Sequence, residues 1–586
     1  MPRNSILTHT EKSGTIASNY NSKIKGGFSV RSILFKKILP LILCLALLTT
    51  MCCLPVANAA KKTKKAQTAE ELGYLPAGQL LEDDGQTVKF NDPAVEKALK
   101  DQYARLMDEN GRFSKKSLSQ VEYLRISGDF PEKPENEDDP AYWEAWSRVW
   151  DSIRNDYAFT PKLAEVDLSA LQFCTKLNSL EVYAIDIRAI PALQSCKSLS
   201  WLELAGAKLD LEEILSLGRL WGLVLLGCDV KDYEPLTRHK RLGYLSIKSD
   251  TLQDLAFAAK IPRLDNLDIH LAPKADIQPL LEKKSFGGVT LSMAGRSKDD
   301  DAWQLLAKCK WGFSLYDVAE WNEEALDTAL PKISWLSIYH TEQPADPTDF
   351  SFIQKAKKLS SLYINNANIA SLAFLAETPK VDWLGIFGSH IVDATNIFLP
   401  RLKWGMHLSN NTVENWGSFE GIKAKKLGDV SLSQTNLTDL SFVEGLTITT
   451  LWLSGNELTD IAPLAKAKQI QKLSLTGNSI ADFSALAGIK GLKNVDLTGA
   501  GRIDLSFVEG LSLTSLWLNN NDITDIAPLA AAKKIEKLSL ADNPIADFSP
   551  LAEIKGLKLV QHNSALPLPE LNKCEIVEGN KLRWEY

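Results

Sequence analysis

The 586-residue chain is 45% hydrophobic and 24% charged, and its formal net charge at pH 7 is −7. The first 59 residues contain seven basic side chains and one acidic side chain, so the remainder has a net charge of about −13. This excess of acidic groups argues against non-specific binding to nucleic acid, which needs a positive surface. It leaves other classes of partner open.

Residues 1–59 are predicted to be a secretory signal peptide. Two lysines precede the apolar stretch 38–48, and Ala57-Asn58-Ala59 supplies a small-residue cleavage site. An uncleaved anchor remains an alternative, and Cys52 and Cys53 raise lipidation as another, although no usual lipobox precedes them. The sequence therefore predicts an exported protein that is secreted, periplasmic or at the cell surface. It would meet a membrane only through this segment, if uncleaved or lipidated.

Residues 60–88 are polar and charged, which predicts a flexible spacer. Within 89–128, the sequence FNDPAVEKALKDQYARL predicts a helix and VEYLRISG predicts a first strand.

Residues 129–162 interrupt the chain after this first strand. PEKPENEDDP predicts an acidic loop, and AYWEAWSRVWDSIRNDY predicts a helix with a single aromatic stripe. The stripe consists of Trp143, Trp146, Trp150, Ile153 and Tyr157. One interpretation is that it packs onto the following domain and helps to close its N-terminal end; the other is that it is an exposed docking helix.

Residues 163–560 repeat with a period of mostly 21 or 22 residues. Residues 427–491 and 492–556 are two copies of one 65-residue segment, with 41 identical positions. Such a period predicts a stacked solenoid, whose units bury their apolar side chains only against their neighbours. Upstream, the period becomes irregular over 286–426, and residues 561–586 lose it, which predicts a C-terminal cap. The predicted strand starts before the duplication are Leu177, Leu199, Leu220, Leu242, Leu264, Phe286, Trp311, Ile333, Leu359 and Val381.

The unit from Ile470 shows the pattern most clearly. Ile470, Leu473 and Leu475 predict a short strand, and an asparagine follows at Asn478 before apolar residues at helix-like spacing. This is the leucine-rich repeat pattern. Its asparagine can satisfy buried backbone groups at the turn. The predicted asparagine ladder consists of Asn456, Asn478, Asn521 and Asn543, with Cys228 in the equivalent slot upstream.

The segments TDIAPLA, ADFSALAGIKGL and TDLSFVEGL, together with the front end 89–128, resemble the internalin-like class of bacterial leucine-rich repeats. The resemblance implies an α/β solenoid, a horseshoe with a parallel concave β-sheet, a convex side of short helical, 3-10 or extended segments, and a helical N-terminal cap. It also implies that the concave face binds other proteins, often on host cells. No LPxTG sorting motif is found, so covalent wall anchoring is not expected.

Alternation along each strand places a series of aromatic residues on the concave face. Interfaces favour tryptophan and tyrosine as anchors, so this series is the predicted partner-binding surface, with the 335–387 cluster as its centre. Stacking of these side chains on one another is the alternative. The series consists of Trp201, Tyr244, Trp335, Tyr339, Tyr363, Trp383, Phe387, Trp452 and Trp517.

Five cysteines follow the signal, an odd number that excludes complete pairing within one chain. Cys174 and Cys196 occupy equivalent positions in consecutive units. They are either a possible disulfide or two small buried residues.

Three functions remain after this reading. The first is an adhesion or recognition protein with a protein ligand; the second is a carbohydrate-binding module; the third is a structural scaffold of the periplasm or cell surface. No catalytic or metal-ligating motif is present, so we expect no enzyme activity, no metal and no cofactor.

Overall fold

The computed structural model describes residues 82–83, 87–130, 148–149, 152–153, 159–270, 272, 275–378, 380–395, 405–417, 427–467, 469–571 and 574–578. These residues fall in two compact units. The first ends at Ala294 and also includes Asp300–Lys308; the second comprises Gly295–Asp299 and the chain from Cys309 onward. The predicted signal peptide 1–59 and nearly all of the predicted spacer 60–88 lie outside the described residues. No helix in the described part is long and apolar enough to cross a membrane.

The first unit begins with a helical cap. Helix α1 (Pro93–Tyr103) starts at Asp92, whose Oδ1 accepts the backbone N–H groups of Ala94 (2.8 Å) and Val95 (3.0 Å). The other carboxylate oxygen of Asp92 accepts the backbone N–H of Asp167 at 2.8 Å. One side chain therefore both starts the cap helix and joins it to the repeat that follows.

The strands of the first unit are parallel, apart from the short hairpin β1–β2. The main sheet contains β3, β5, β6, β8, β10, β11 and β12, and a second ladder joins β4, β5, β7 and β9. The bounds are β1 Glu82–Asp83, β2 Thr87–Val88, β3 Tyr123–Ser127, β4 Leu163–Asp167, β5 Ser179–Arg188, β6 Trp201–Ala205, β7 Lys208–Leu209, β8 Gly222–Leu226, β9 Asp229–Val230, β10 Tyr244–Lys248, β11 Asn266–Asp268 and β12 Phe286–Ser292.

The second unit is built in the same way. Its main parallel sheet contains β13, β14, β15, β17, β19 and β21 to β28, and β16, β18 and β20 form a small separate sheet. The bounds are β13 Cys309–Tyr316, β14 Trp335–Tyr339, β15 Ser361–Asn365, β16 Asn368–Ile369, β17 Trp383–Phe387, β18 His390–Asp393, β19 Gly405–Ser409, β20 Thr412–Asn415, β21 Leu427–Ser431, β22 Ile448–Trp452, β23 Lys472–Ser474, β24 Asn494–Asp496, β25 Ser515–Trp517, β26 Lys537–Ser539, β27 Leu559–His562 and β28 Glu575–Glu578.

Short helical segments return the chain from one strand to the next. The α-helices after α1 are α2 Lys115–Leu118, α3 Leu211–Leu215, α4 Ala256–Lys260, α5 Ala302–Leu306 and α6 Glu323–Ala329. The 3-10 turns span Ala104–Leu106, Leu168–Phe173, Ile190–Ser195, Glu234–Arg238, Gln278–Glu282, Leu330–Lys332, Ser351–Lys355, Ala373–Glu377, Ser441–Gly445, Ala462–Lys466, Ser484–Gly488, Leu505–Val508, Ala527–Ala531 and Ser549–Glu553. In the regular repeats an aspartate starts each turn, because its carboxylate accepts the backbone N–H two residues later, as Asp460 does from Ala462 at 2.8 Å.

The core is a stack of like residues from neighbouring strands. In β14, Leu336 and Ile338 are 1% and 0% exposed, and they pair in register with Leu362 and Ile364 of β15. Fully burying one such side chain contributes about 1.5–3 kcal/mol. The parallel sheets with short helical returns confirm the predicted α/β solenoid class.

The asparagines of the regular repeats bind backbone groups of two units each. Asn521 donates through Nδ2 to the carbonyls of Leu497 (3.0 Å) and Leu518 (2.9 Å), and its Oδ1 accepts the N–H groups of Ala500 and Gly501. Asn456, Asn478 and Asn543 bind their own neighbours in the same manner. Each asparagine thus supplies both donors and an acceptor at a turn that the sheet leaves unpaired.

One predicted core position is wrong. Trp311 was expected to start a strand in the core, but it is 45% exposed. The register explains the error: Gly312 pairs with Trp335, which places Trp311 level with Ser334, one residue after the core position at Ile333. The longer repeat in this region concealed a shift of one residue.

Candidate functional site

All nine predicted aromatic residues lie on strand positions that alternate with the core. Trp335 and Tyr339, for example, flank the buried Leu336 and Ile338. The strand pairings align them in rows across the sheets: Trp335, Ser361 and Trp383 share one row, and Ser337 and Tyr363 share the next. The predicted alternation therefore selects the face that these side chains occupy.

The aromatic side chains nevertheless do not stand free. Trp201, Trp335, Trp383 and Phe387 are half-buried. The other five were expected to be available to a partner, and the structure corrects this expectation: Tyr244, Tyr339, Tyr363, Trp452 and Trp517 are between 1% and 9% exposed. Tyr339 stacks on Tyr316 of the neighbouring strand, with 4.7 Å between ring centroids, whereas Tyr244 is buried in a cluster with Ile153, and Trp452 packs with Trp517.

Glycines leave room for three of the rings of the second unit. A Cβ atom added to Gly385 would lie 2.8 Å from Cε2 of Phe387 and 2.9 Å from Cδ1 of Tyr363. At Gly405 it would lie 2.8 Å from Cζ3 of Trp383. The rings of Tyr363, Trp383 and Phe387 therefore occupy space beside these glycines that any larger residue would fill.

In the first unit, the chain covers its own concave face. Ile153, from the insertion 129–162, is fully buried in a cluster with Tyr183, Val224 and Tyr244, and Val149 packs against the same cluster. Trp201, Trp221, Phe130 and Phe159 border it. The predicted stripe residues Trp143, Trp146, Trp150 and Tyr157 lie outside the described residues. Of the two interpretations, the described residues of this segment follow the first in that they pack onto the repeats, on the face of β5, β8 and β10.

Polar groups on this face are also engaged within the chain. The Nζ atom of Lys248, which is 1% exposed, donates to the carbonyl of Ile153 at 2.7 Å. Arg125 pairs with Glu181, and the hydroxyl of Tyr183 donates to Glu203 at 2.8 Å. These polar side chains of the first unit are thus paired within the chain, and its aromatic rings lie in or beside the cluster around Ile153.

In the second unit, strands β13, β14, β15 and β17 present a different surface, which we call the aromatic pavement. Six of its twelve positions are aromatic and none is charged, in a chain that is 8% aromatic and 24% charged. Trp335, Trp383 and Phe387 are its half-buried rings. The twelve residues are Gly312, Ser314, Tyr316, Trp335, Ser337, Tyr339, Ser361, Tyr363, Asn365, Trp383, Gly385 and Phe387.

The duplicated repeats present a third arrangement. Trp452 and Trp517, at matching positions of the two copies, pack together, and Ser474 and Asp496 lie between them in the same row. Burial raises the pKa of Asp496. Lys472 also belongs to this part of the face. The matching tryptophans therefore cover each other instead of extending the pavement.

Sequence reasoning missed two residues next to the pavement. His407 lies in the middle row of β19, beside Gly385, and its ring centroid is 4.7 Å from that of Trp383. Asp429 of β21 accepts a hydrogen bond from Nε1 of Trp452 at 3.1 Å. The alternation in GMHLSNN, with His407 between Met406 and Leu408, was the signal that could have found the histidine.

The cysteine pair is not a disulfide in this structure. Cys174 and Cys196 are buried free thiols, and the Cys196 thiol donates to the carbonyl of Leu171 at 3.2 Å. Burial raises the pKa of the Cys196 thiol to about 12. Both side chains thus fit the description of small buried residues.

Two histidines of the second unit, His340 and His390, lie near acidic side chains. His390 contacts Oδ1 of Asn368 (2.9 Å) and Oε1 of Glu414 (2.8 Å), and burial lowers the pKa of His340. Within the described ranges, no group of three His, Cys, Asp or Glu side chains is placed to hold a metal ion.

Residues 446–488 and 511–553 match a family model described as leucine-rich repeats in two copies. The chain has a leucine-rich repeat fold. The matched segments lie in the duplicated repeats, and the parallel strands of both units continue the same architecture. This architecture is typical of proteins that bind other proteins.

Solved structures to which this chain is similar include two internalins from Listeria monocytogenes. One is InlF, with 15% identity over 82% of this chain and 96% of that one and a TM-score of 0.27. The other is the functional domain of InlJ, with 17% identity, 83% and 82% coverage and a TM-score of 0.28. A TLR13–ssRNA13 complex is similar at 14% identity, 69% and 76% coverage and a TM-score of 0.47. No curated protein matches the sequence. The predicted leucine-rich repeat fold is confirmed by the matched segments and by the parallel sheets of the two units.

Proposed function

We propose that this chain is an exported, non-enzymatic binding protein that captures another protein through the aromatic pavement of its second unit. The observation that carries the proposal is the composition of the pavement: six aromatic residues, three serines, two glycines and an asparagine, without a charge. Tyrosine, serine, glycine and asparagine are also the residues that antibody paratopes use, because rigid aromatic rings supply contact area and small polar groups supply adaptable hydrogen bonds.

Accessibility supports the same surface. Trp335, Trp383 and Phe387 retain exposed ring area, and binding hot spots are enriched in tryptophan and tyrosine. The glycine contacts fix these rings in place before binding, so little side-chain entropy is lost when a partner covers them. The first unit differs, because Tyr183 and Tyr244 are buried with Ile153 of the insertion and the half-buried Trp201 and Trp221 pack against the same cluster.

Export is proposed from the signal-peptide pattern in residues 1–59. Its test is the N-terminal sequence of the protein recovered outside the cytoplasm, which should begin at Ala60.

Carbohydrate binding is the second candidate, and one observation favours it. The half-buried Trp335 and Trp383 lie in one row on either side of the half-buried Ser361, so this row offers both a stacking surface and a neutral hydroxyl to a sugar. A glycan array with the mature chain distinguishes the two candidates: glycan signals that disappear with Trp383→Ala would replace the protein-ligand proposal.

The test of the main proposal is affinity capture from host and bacterial extracts, with each captured protein identified by mass spectrometry. Trp335→Ala combined with Trp383→Ala should reduce capture of a specific partner at least 100-fold, because hot-spot truncations cost about 2 kcal/mol or more each. The matched control is Trp201→Ala combined with Trp221→Ala on the covered face of the first unit, and it should leave capture unchanged. If the unmodified chain and both double variants capture the partner equally, and all three unfold with the same transition, the assignment of the surface is refuted.

A further inference from the structure

Trp383 is fixed by two residues of one neighbouring strand. Gly405 and His407, two positions apart on β19, lie on the same face as Trp383 of β17. Gly405 leaves room for the indole, since a Cβ there would be 2.8 Å from Cζ3. The imidazole of His407 packs against the same indole at 4.7 Å between ring centroids, with the planes 36° apart.

The two rings contact each other without a hydrogen bond. Within the described part of the chain, Nε1 of Trp383 and Nε2 of His407 are buried polar atoms with no hydrogen-bond partner. A neutral imidazole tolerates such a site better than an imidazolium, whose added charge needs solvent or an anion. The arrangement therefore depends on the protonation state of His407.

The groups that face His407 determine what happens when it gains a proton. From β17 it meets Trp383, Gly385 and Phe387, which do not ionise, and from β15 the phenol Tyr363 reaches over Gly385. From β21 it meets Ser431 and Asp429, the charged residue on the described strands beside it. Asp429 already accepts the Nε1–H of Trp452 at 3.1 Å.

Resting on the proposed function, we propose that His407 is a positioning residue that holds Trp383 flat while neutral and releases it when protonated, so that partner binding weakens on acidification. The imidazolium would turn either towards Asp429, whose carboxylate would accept its N–H, or towards solvent. Both movements take the support of Trp383 away. Burial lowers the pKa of His407 below its ordinary value, with Asp429 opposing that shift, so the neutral form holds at neutral pH and the change follows on acidification below the usual histidine range.

Hydroxyl-radical labelling of the mature chain tests this without a partner, because mass spectrometry reads each tryptophan separately. Between pH 7.5 and pH 5, labelling of Trp383 should rise at least threefold relative to Trp335, which has no histidine beside it in its row. His407→Gln should remove the rise, since glutamine does not titrate there. His340→Gln is the matched control: it removes another buried histidine of the same unit and should leave the rise unchanged.

If His407→Gln does not fold, the ratio of Trp383 labelling to Trp335 labelling in the unmodified protein still tests the proposal. A constant ratio of Trp383 to Trp335 labelling across this pH range would overturn the proposal, as would an equal rise in His407→Gln. Neither result bears on whether Trp335 and Trp383 bind a partner, which the alanine variants test at a single pH.

Discussion

The concave faces of the two units use aromatic residues in opposite ways. In the first unit, Ile153 of the insertion is buried among Tyr183, Val224 and Tyr244, and a buried lysine binds its carbonyl. In the second unit, the rings of Tyr363, Trp383 and Phe387 lie beside glycines, and the aromatic pavement contains no charged residue. An aromatic row on a repeat sheet therefore identifies a face of the sheet. The neighbours of each ring decide whether that face is accessible to a partner.

The largest expected effect comes from removing the cover of the first unit. Ile153→Ala should lower the free energy of unfolding by about 2–5 kcal/mol, because a fully buried isoleucine is lost from an apolar cluster. Urea denaturation followed by circular dichroism measures it. Ile576→Ala, at an isoleucine that is 49% exposed, is the control and should change stability by less than about 0.5 kcal/mol. If both substitutions behave alike, Ile153 is not part of a core and the first face is open.

The turn residues sharpen the comparison between diverged and regular repeats. Asn521→Ala should cost about 2–4 kcal/mol, because buried backbone groups of two repeats lose their partner. Cys228→Ala should cost about 1 kcal/mol, because its thiol is a weak donor, at 3.3 Å from the carbonyl of Leu204. Thermal and urea unfolding of both variants check the difference. Equal costs would show that the asparagine bonds contribute no more than the thiol.

A smaller effect should follow from filling the space under the pavement. Gly385→Ala adds one methyl group within 3 Å of Phe387 and Tyr363, so the rings must move, at a cost of about 1–3 kcal/mol. Partner capture should fall although no contacting side chain is removed. Gly218→Ala is the control, because an added Cβ there meets nothing within 4 Å. Unchanged capture by Gly385→Ala would show that the flat arrangement of the rings is not needed.

The smallest expected effect is on stability between pH 7.5 and pH 5.5, and it should appear in both units. Burial lowers the pKa of His239 in the first unit and of His340 and His407 in the second. The unfolded chain therefore binds more protons in this range, so stability is full above the ordinary histidine pKa and falls as the pH decreases through it. The urea midpoint should be lower at pH 5.5 than at pH 7.5.

His239 provides the specific control for this pH dependence. Its Nδ1 accepts the backbone N–H of Leu242 at 3.1 Å while Nε2 contacts the carbonyl of Leu217 at 3.2 Å. A protonated ring loses the acceptor. The pH dependence should therefore become shallower in His239→Gln, and an unchanged slope would contradict this assignment.

The sequence predicted the fold and the register of the aromatic residues, because both follow from a local pattern. The period of 22 residues assigns each position of a repeat to a place in the fold. The position of Asn478 lies at the turn, and the position of Trp452 lies on the concave face. What each ring covers could not be predicted, because it depends on the residue one repeat away. Gly385 and Gly405, glycines at concave strand positions where a side chain would be expected, were the available signal.

The insertion could not be placed for a related reason. An apolar stripe at helical spacing shows that one side of a helix is buried, and it does not show which surface buries it. Lys248 is buried at a strand position that alternates with the core. Only the structure shows that its Nζ atom donates to a backbone carbonyl of the insertion.

Hydroxyl-radical labelling of each tryptophan, in the free chain and in the presence of a captured partner at neutral pH, tests the central comparison most directly. We predict that labelling of Trp335 and Trp383 falls when the partner binds, while labelling of Trp201, which is half-buried like them in the free chain, stays unchanged. Protection of Trp201 on binding, with labelling of Trp335 and Trp383 unchanged, would contradict the account.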